Sequence, residues 1–270
     1  MKTIIGLGCS WTQGEGGYPD EIFKQYNGRV NLSMGSDSHL REYEEENSWV
    51  NVLTRDYLKD HRPVNLGIRG IGNRAAVKEL YFAKDKIGWG SSTGTIILLL
   101  SGFERLDFFT DRIDAHYKYN TAWPHDHTPP KLLWQAYKDE LYNEKMICME
   151  ALSSILEAQT IAERYGFNLL IGNAYNPFHV PSYIRQQLGS HYADLVNWEN
   201  YIHTEDDKNF VEKLVVLDDF LPNNKSGYWE YYQRMKQPGR YLTNCIHPTI
   251  DGYKVIANQF YKEMVKRNYI

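Results

Sequence analysis

Five short apolar runs constrain this chain more than any other feature: Thr3–Gly8, Pro63–Leu66, Thr95–Leu100, Asn168–Gly172 and Lys213–Leu217. They are almost continuously apolar rather than alternating, as parallel strands covered on both faces are. Helical patterns lie between them. Ser48–Tyr57 and Asn73–Phe82 repeat apolar residues at 3–4 spacing, and Glu144–Tyr165 does so up to Gly166, a C-cap candidate. Pro248–Lys266 opens on a proline and carries Tyr253, Ile256, Ala257, Phe260 and Met264. This alternation predicts a three-layer α/β/α sandwich around a five-stranded parallel sheet. Right-handed crossovers would place every strand's C-terminal end on one edge, where ligand sites of such folds lie. No linker or shift of composition divides residues 1–270, so a single domain is expected, with Tyr18–Asn47 and Asp111–Lys131 as insertions.

Composition narrows the partners. Hydrophobic residues make up 42% and charged residues 24%, a globular balance that excludes a disordered chain, a collagen or a coiled coil. A net charge of −4 offers no basic face, so nucleic acid is not expected as the main partner. Cys9, Cys148 and Cys245 are sparse, contain no C-x-x-C, and read as buried free thiols of a reducing compartment. No apolar run approaches the ~18–20 residues that span a bilayer. Met1–Leu7 resembles the start of a signal peptide, and Gly8-Cys9 hints at lipoprotein processing, but the run is shorter than an h-region. The expectation is a cytoplasmic protein with no membrane partner and no cofactor. Oligomeric state, and whether the chain rides on a larger assembly such as a virion, are left open.

Three segments carry chemistry. After the first run comes Gly8-Cys9-Ser10-Trp11-Thr12-Gln13-Gly14, which sets the Ser10 hydroxyl on a tight turn at the exposed edge. The plainer reading is an N-cap or a phosphate-cradling loop, although no Lys-Ser/Thr follows the glycines. Asn65-Leu66-Gly67-Ile68-Arg69-Gly70-Ile71-Gly72-Asn73 ends the second run with glycines whose N–H groups could hold an oxyanion; a tight βα turn is the plainer reading. Asn244-Cys245-Ile246-His247-Pro248 precedes the last helical pattern and makes His247 a candidate general base if it shares an edge with Ser10.

Order and context together resemble a divergent member of the SGNH (GDSL-type) hydrolase family. Its first block matches Gly8-Cys9-Ser10 with Gly14, its second matches Asn65 to Gly70, and its last partly matches Asn244-Cys245-Ile246-His247-Pro248 with Gly252 after it. The likeness runs from Lys2 to Phe260 outside the two insertions. It implies a flavodoxin-like fold and ester hydrolysis through a serine acyl-enzyme. By that resemblance Ser10 is the nucleophile, the N–H groups of Ser10 and Gly70 hold the oxyanion, and His247 is the base.

Two positions depart from the family pattern. Its third block ends a strand with an oxyanion-donating Asn, whereas this chain has Leu100-Ser101-Gly102-Phe103-Glu104-Arg105-Leu106-Asp107. Losing such a donor costs about 10²–10³ in kcat. Arg105, oriented by Glu104, or Ser101 could substitute; a surface Glu–Arg pair is the plainer reading. Asn244 stands where the family has Asp, and Asp218 or Asp219 could also reach that edge. Asp251 reads instead as capping or solvating the last helix.

Aromatic residues cluster at Tyr117, Tyr119, Trp123, His125 and His127, and again at Tyr228, Trp229, Tyr231 and Tyr232. Rings with polar tips suit sugar faces, and equally suit loop packing. His125-Asp126-His127 alone is weak evidence for a metal. The expectation is therefore a serine esterase acting on a small acyl ester, a carbohydrate acetate being one candidate. The alternative is a catalytically impaired SGNH-fold protein that binds carbohydrate or another protein. A flavodoxin-like nucleotide-binding domain using the two Gly-rich loops comes third.

Overall fold

A computed structural model describes residues 1–25, 38–90, 93–109, 119–122, 136, 139–140, 142–203, 209–217, 240–243 and 247–270. In chain order the elements are β1 (Thr3–Leu7), α1 (Ser10–Gln13), α2 (Asp20–Gln25), α3 (Ser38–Asn47) and α4 (Trp49–Val52), which runs on as a π-helical turn at Leu53–Tyr57. Then come β2 (Arg62–Asn65), α5 (Asn73–Phe82), α6 (Lys84–Ile87), β3 (Gly94–Leu100), β4 (Leu106–Phe109) and β5 (Tyr119–Ala122). The remainder is α7 (Glu144–Tyr165), β6 (Phe167–Asn173), α8 (Val180–Leu188), α9 (Ser190–Ala193), α10 (Phe210–Leu217) and α11 (Ile250–Lys266).

The sheet is parallel with order β2-β1-β3-β6. The interiors of β1, β3 and β6 are almost wholly apolar because both faces are covered. Ile5, Leu7, Ile96, Leu98, Leu169 and Ile171 pack under Val77 and Leu80 of α5, Ile155 of α7 and Ile184 of α8. The alternate residues Ile4, Ile97, Leu99 and Leu170 pack under Trp49 of α4, Leu214 of α10 and Phe260 of α11. The period-two alternation thus sorts one sheet into two cores. The chain leaves β1 towards β2 and returns on the other side at β3. The loops after β1 and β3 therefore part at a topological switch point.

The fifth expected strand is not a strand. Lys213–Leu217 lies inside α10, where Phe210, Val211 and Leu214 share the buried face. Asn209 starts that helix: its side-chain oxygen accepts from Glu212 N at 2.8 Å, and the Glu212 carboxylate accepts from Asn209 N at 3.1 Å. This is a reciprocal capping box. A single parallel bridge, Ile171 to Tyr201, occupies the sheet position beyond β6. α11 begins at Ile250 with Thr249 as its cap, whereas Pro248 bridges back to Leu242, so the proline precedes the helix. β4 and β5 form a separate antiparallel pair that the apolar runs did not announce. Tyr18–Asn47, expected as a polar insertion, tucks Tyr18, Ile22 and Leu40 into a small core of its own. No helix of the described residues is long and apolar enough to cross a membrane.

Candidate active site at the carboxyl edge of the sheet

β1 delivers Ser10 to the edge through a turn that only glycine allows. Gly8 has φ +150°, and a Cβ there would lie 2.4 Å from Thr12 Oγ1 and 2.7 Å from Leu99 O. Thr12 Oγ1 closes the turn by donating to Leu7 O at 3.2 Å. Ser10 opens α1, so its N–H is among those that a helix leaves without an intrahelical acceptor.

His247 is held by the strap that precedes α11. Its N–H donates to Thr243 Oγ1 at 3.1 Å, and its C=O accepts from Thr243 N at 2.8 Å. From there the imidazole meets Ser10: Nε2 lies 2.8 Å from Oγ. Residues from the two ends of the chain thus share one hydrogen bond, and Ser10 itself is only 5% exposed.

The second Gly-rich loop lies along the first. Leu66 N donates to Gly6 O at 2.9 Å, Ile68 N to Gly8 O at 3.1 Å and Arg69 N to Gln13 Oε1 at 2.7 Å. Gly67 presses on α1, since a Cβ would fall 2.2 Å from Gln13 N. Gly70 follows at φ +80° with open space where a Cβ would stand. Among the described residues its N–H has no acceptor. Asn65 supports the turn by accepting from Gly67 N at 2.9 Å.

The loop after β3 is organised by asparagines that sequence reading passed over. Asn73 Oδ1 accepts from Ser101 N at 2.7 Å and from Ser101 Oγ at 3.2 Å, which ties down the Ser101 hydroxyl. Asn176 accepts from Phe103 N at 3.1 Å and donates to Ser101 O at 3.0 Å. Arg105 donates to Ile71 O at 2.9 Å and lies 5.3 Å from the Tyr175 ring centre. Burial opposes its charge, and Tyr175, Cys9 and Glu104 more than offset that, so its pKa is raised. Asp251 pairs with Arg240 at 3.0 Å and Lys254 at 3.3 Å, the solvated role expected of it.

Asn244, Asp218, Asp219 and Cys245 lie outside the described residues, as do the aromatic stretches and His125-Asp126-His127, except for the backbone of Tyr119 in β5. Cys9 and Cys148 are buried free thiols.

The site also holds charges that no motif signalled. Glu15 Oε2 stands 3.2 Å from His247 Nε2 and 2.9 Å from Arg69 Nε. Arg69 reaches Glu44 Oε1 at 2.8 Å, and Glu44 also accepts from Gln13 Nε2 at 2.8 Å and from the Tyr18 hydroxyl. Glu15 and Glu44 are buried. Burial works against the Arg69 charge, and the two carboxylates outweigh it, so Arg69 is held protonated. Burial and the bond to Glu44 push the Tyr18 hydroxyl far up, and burial with the Glu15 charge does the same to Tyr253.

Comparison with known proteins places the fold. No family model matches the chain, and no curated protein matches it by sequence. Among solved structures it resembles an acetyl xylan esterase from the rumen bacterium Butyrivibrio proteoclasticus, at TM-score 0.50 and 11% identity; the match covers 100% of this chain and 65% of that one. The chain therefore spans about two thirds of that protein's length. A lipase/acylhydrolase from Enterococcus faecalis aligns at TM-score 0.44 and 13% identity over 99% of this chain and 97% of that one. A putative lipolytic protein of the G-D-S-L family from Desulfitobacterium hafniense aligns at 0.43 and 14%, over 97% and 99%. At 11% identity the first of these likenesses shows a shared fold and no more.

Proposed function

We propose that this protein is a serine-dependent hydrolase of small acyl esters, a divergent SGNH-type enzyme. One observation carries the reading: the 2.8 Å bond between Ser10 Oγ and His247 Nε2 at the carboxyl edge of the sheet. Hydrogen-bond reach between nucleophile and base is what acyl transfer requires.

In the forward step Ser10 Oγ attacks the ester carbonyl carbon while its proton passes to His247 Nε2. The oxyanion that forms is met by the N–H groups of Ser10 and Gly70. His247 then gives its proton to the departing alkoxide as the carbonyl C–O bond breaks, leaving an acyl-serine and a free alcohol. Water attacks the acyl-serine by the reverse relay. It loses a proton to His247, which returns that proton to Ser10 Oγ as the carboxylic acid leaves.

The low exposure of Ser10 supports a small acyl group. The likeness in fold to an acetyl xylan esterase from Butyrivibrio proteoclasticus is a reason to include acetylated xylan among the substrates tried. Turnover of short-chain aryl esters and acetylated sugars tests the proposal. Ser10→Ala and His247→Ala are expected to lose on the order of 10³-fold or more in kcat while keeping the wild-type melting temperature within a few degrees. Equal turnover in wild type and Ser10→Ala would overturn it.

A further inference from the structure

The structure assigns Glu15 as a charge that strengthens His247 as a base, so an acidic partner of this site comes from the loop after the nucleophile. The inference rests on reading Ser10 and His247 as the reacting pair.

The loop is built to bring that carboxylate in. Gly14 and Gly16 have φ +109° and +94°, conformations in which side chains are strained. A Cβ on Gly16 would lie 2.7 Å from Pro248 O and 3.0 Å from His247 Cβ, so the backbone beside Glu15 lies directly on the His247 strap. Tyr253 of α11 donates to Glu15 O at 2.7 Å, and Asn47 of α3 donates to Gly17 O at 2.9 Å. The loop is thus anchored from both sides, and the carboxylate is left against Nε2.

Its position differs from that of a triad acid, which bonds Nδ1 and selects the tautomer. Glu15 stands by the nitrogen that Ser10 also faces. A carboxylate beside an unprotonated Nε2 disfavours its lone pair, and the arrival of the Ser10 proton relieves this. By formal count the cluster sets two carboxylates against one guanidinium, and the imidazolium formed during attack supplies the second cation. The cluster therefore suits the protonated histidine formed during attack. Ser10 and Glu15 stand at His247 Nε2, and behind Glu15 lie Arg69 of the second loop, Glu44 of α3 with the Tyr18 hydroxyl on it, and Tyr253 of α11.

The test is an NMR titration of the His247 ring in wild type, Glu15→Gln and Arg69→Gln. Removing the anion is expected to lower the midpoint by about one pH unit, and removing the cation that shields it to raise the midpoint. Damage to the fold would not produce opposite signs, and Arg69→Gln alone suffices if Glu15→Gln does not fold. In parallel, Glu15→Gln should lower kcat at least about tenfold with little change in KM, with partial rescue by Glu15→Asp. A midpoint unmoved in the folded variants overturns the role of Glu15, even if Ser10-dependent turnover stands. Opposite shifts without any turnover would keep the charge pairing and remove the esterase reading.

Discussion

Gly14 and Gly70 both adopt positive φ, yet the surroundings of the two differ in what a methyl group would meet. A Cβ on Gly14 would sit 1.9 Å from Glu44 O, whereas one on Gly70 would enter open space. Gly70→Ala therefore carries only backbone strain, about 1–2 kcal/mol. Gly14→Ala adds a collision with backbone and is expected to cost about 3 kcal/mol or more, because α3 must move with its buried Glu44. Urea unfolding of the two variants checks the order, and equal losses would show that the Gly14 contact is easily relieved. At this scale the sequence revealed only part of the site. Ser10, Gly70 and His247 stood in motifs with local chemistry of their own. Glu15, Arg69 and Glu44 did not, because a lone charged residue reads as solvated surface until the fold buries it beside a partner. Arg105 was legible as a charge near β3, but its bond to Ile71 O follows only from tertiary packing.

Asp107 joins two elements that the sequence kept apart. It stands within β4 and accepts from Gly72 N at 2.7 Å and Ala75 N at 2.8 Å, capping α5 from across the chain. Those bonds hold the N-terminal end of α5, and with it the loop that carries Gly70. Asp107 is 4% exposed, so Asp107→Ala would leave two buried N–H groups without an acceptor. A loss of about 2–4 kcal/mol is expected, with Asp107→Asn losing less because its remaining oxygen still accepts. Thermal or urea unfolding reads this directly, and a loss within 0.5 kcal/mol, which is about what a neutral surface change costs, would refute the cap. The elements best read from sequence were those with a sustained apolar run or helical period: β1, β2, β3, β6, α5 and α7 lie within a residue of the expected bounds at each end. The miss at Lys213–Leu217 has a physical cause. A five-residue apolar run fits a covered strand and a half-buried helix equally well, and only Asn209 with Glu212 three residues on separated the two.

Across the whole molecule the interior stores weak acids in their neutral form. Burial, with the Glu144 charge behind it, pushes the Cys148 thiol up to about 12, and burial pushes the Tyr183 hydroxyl up to about 12. Tyr175 and Tyr253 are also driven well up, again mainly by burial. Each of these groups titrates later in the folded chain than in the unfolded one. The unfolded state therefore releases its protons first as pH rises, and the native state loses ground to it. The contribution is fully present below the unfolded values, 9.0 for the thiol and 10.0 for the tyrosines, and fades as pH climbs towards the folded ones. Each group bends the stability curve by at most about 1.4 kcal/mol per pH unit. The melting temperature is accordingly expected to be level up to about pH 9 and to fall steadily beyond it, with Cys148→Ala falling less steeply over pH 9–11. Cys148 should also resist maleimide at pH 8 in the folded protein and react once urea opens α7. A melting temperature that stays flat from pH 9 to 11, or ready alkylation of native Cys148, would mean that the face of the sheet under α7 is open to water.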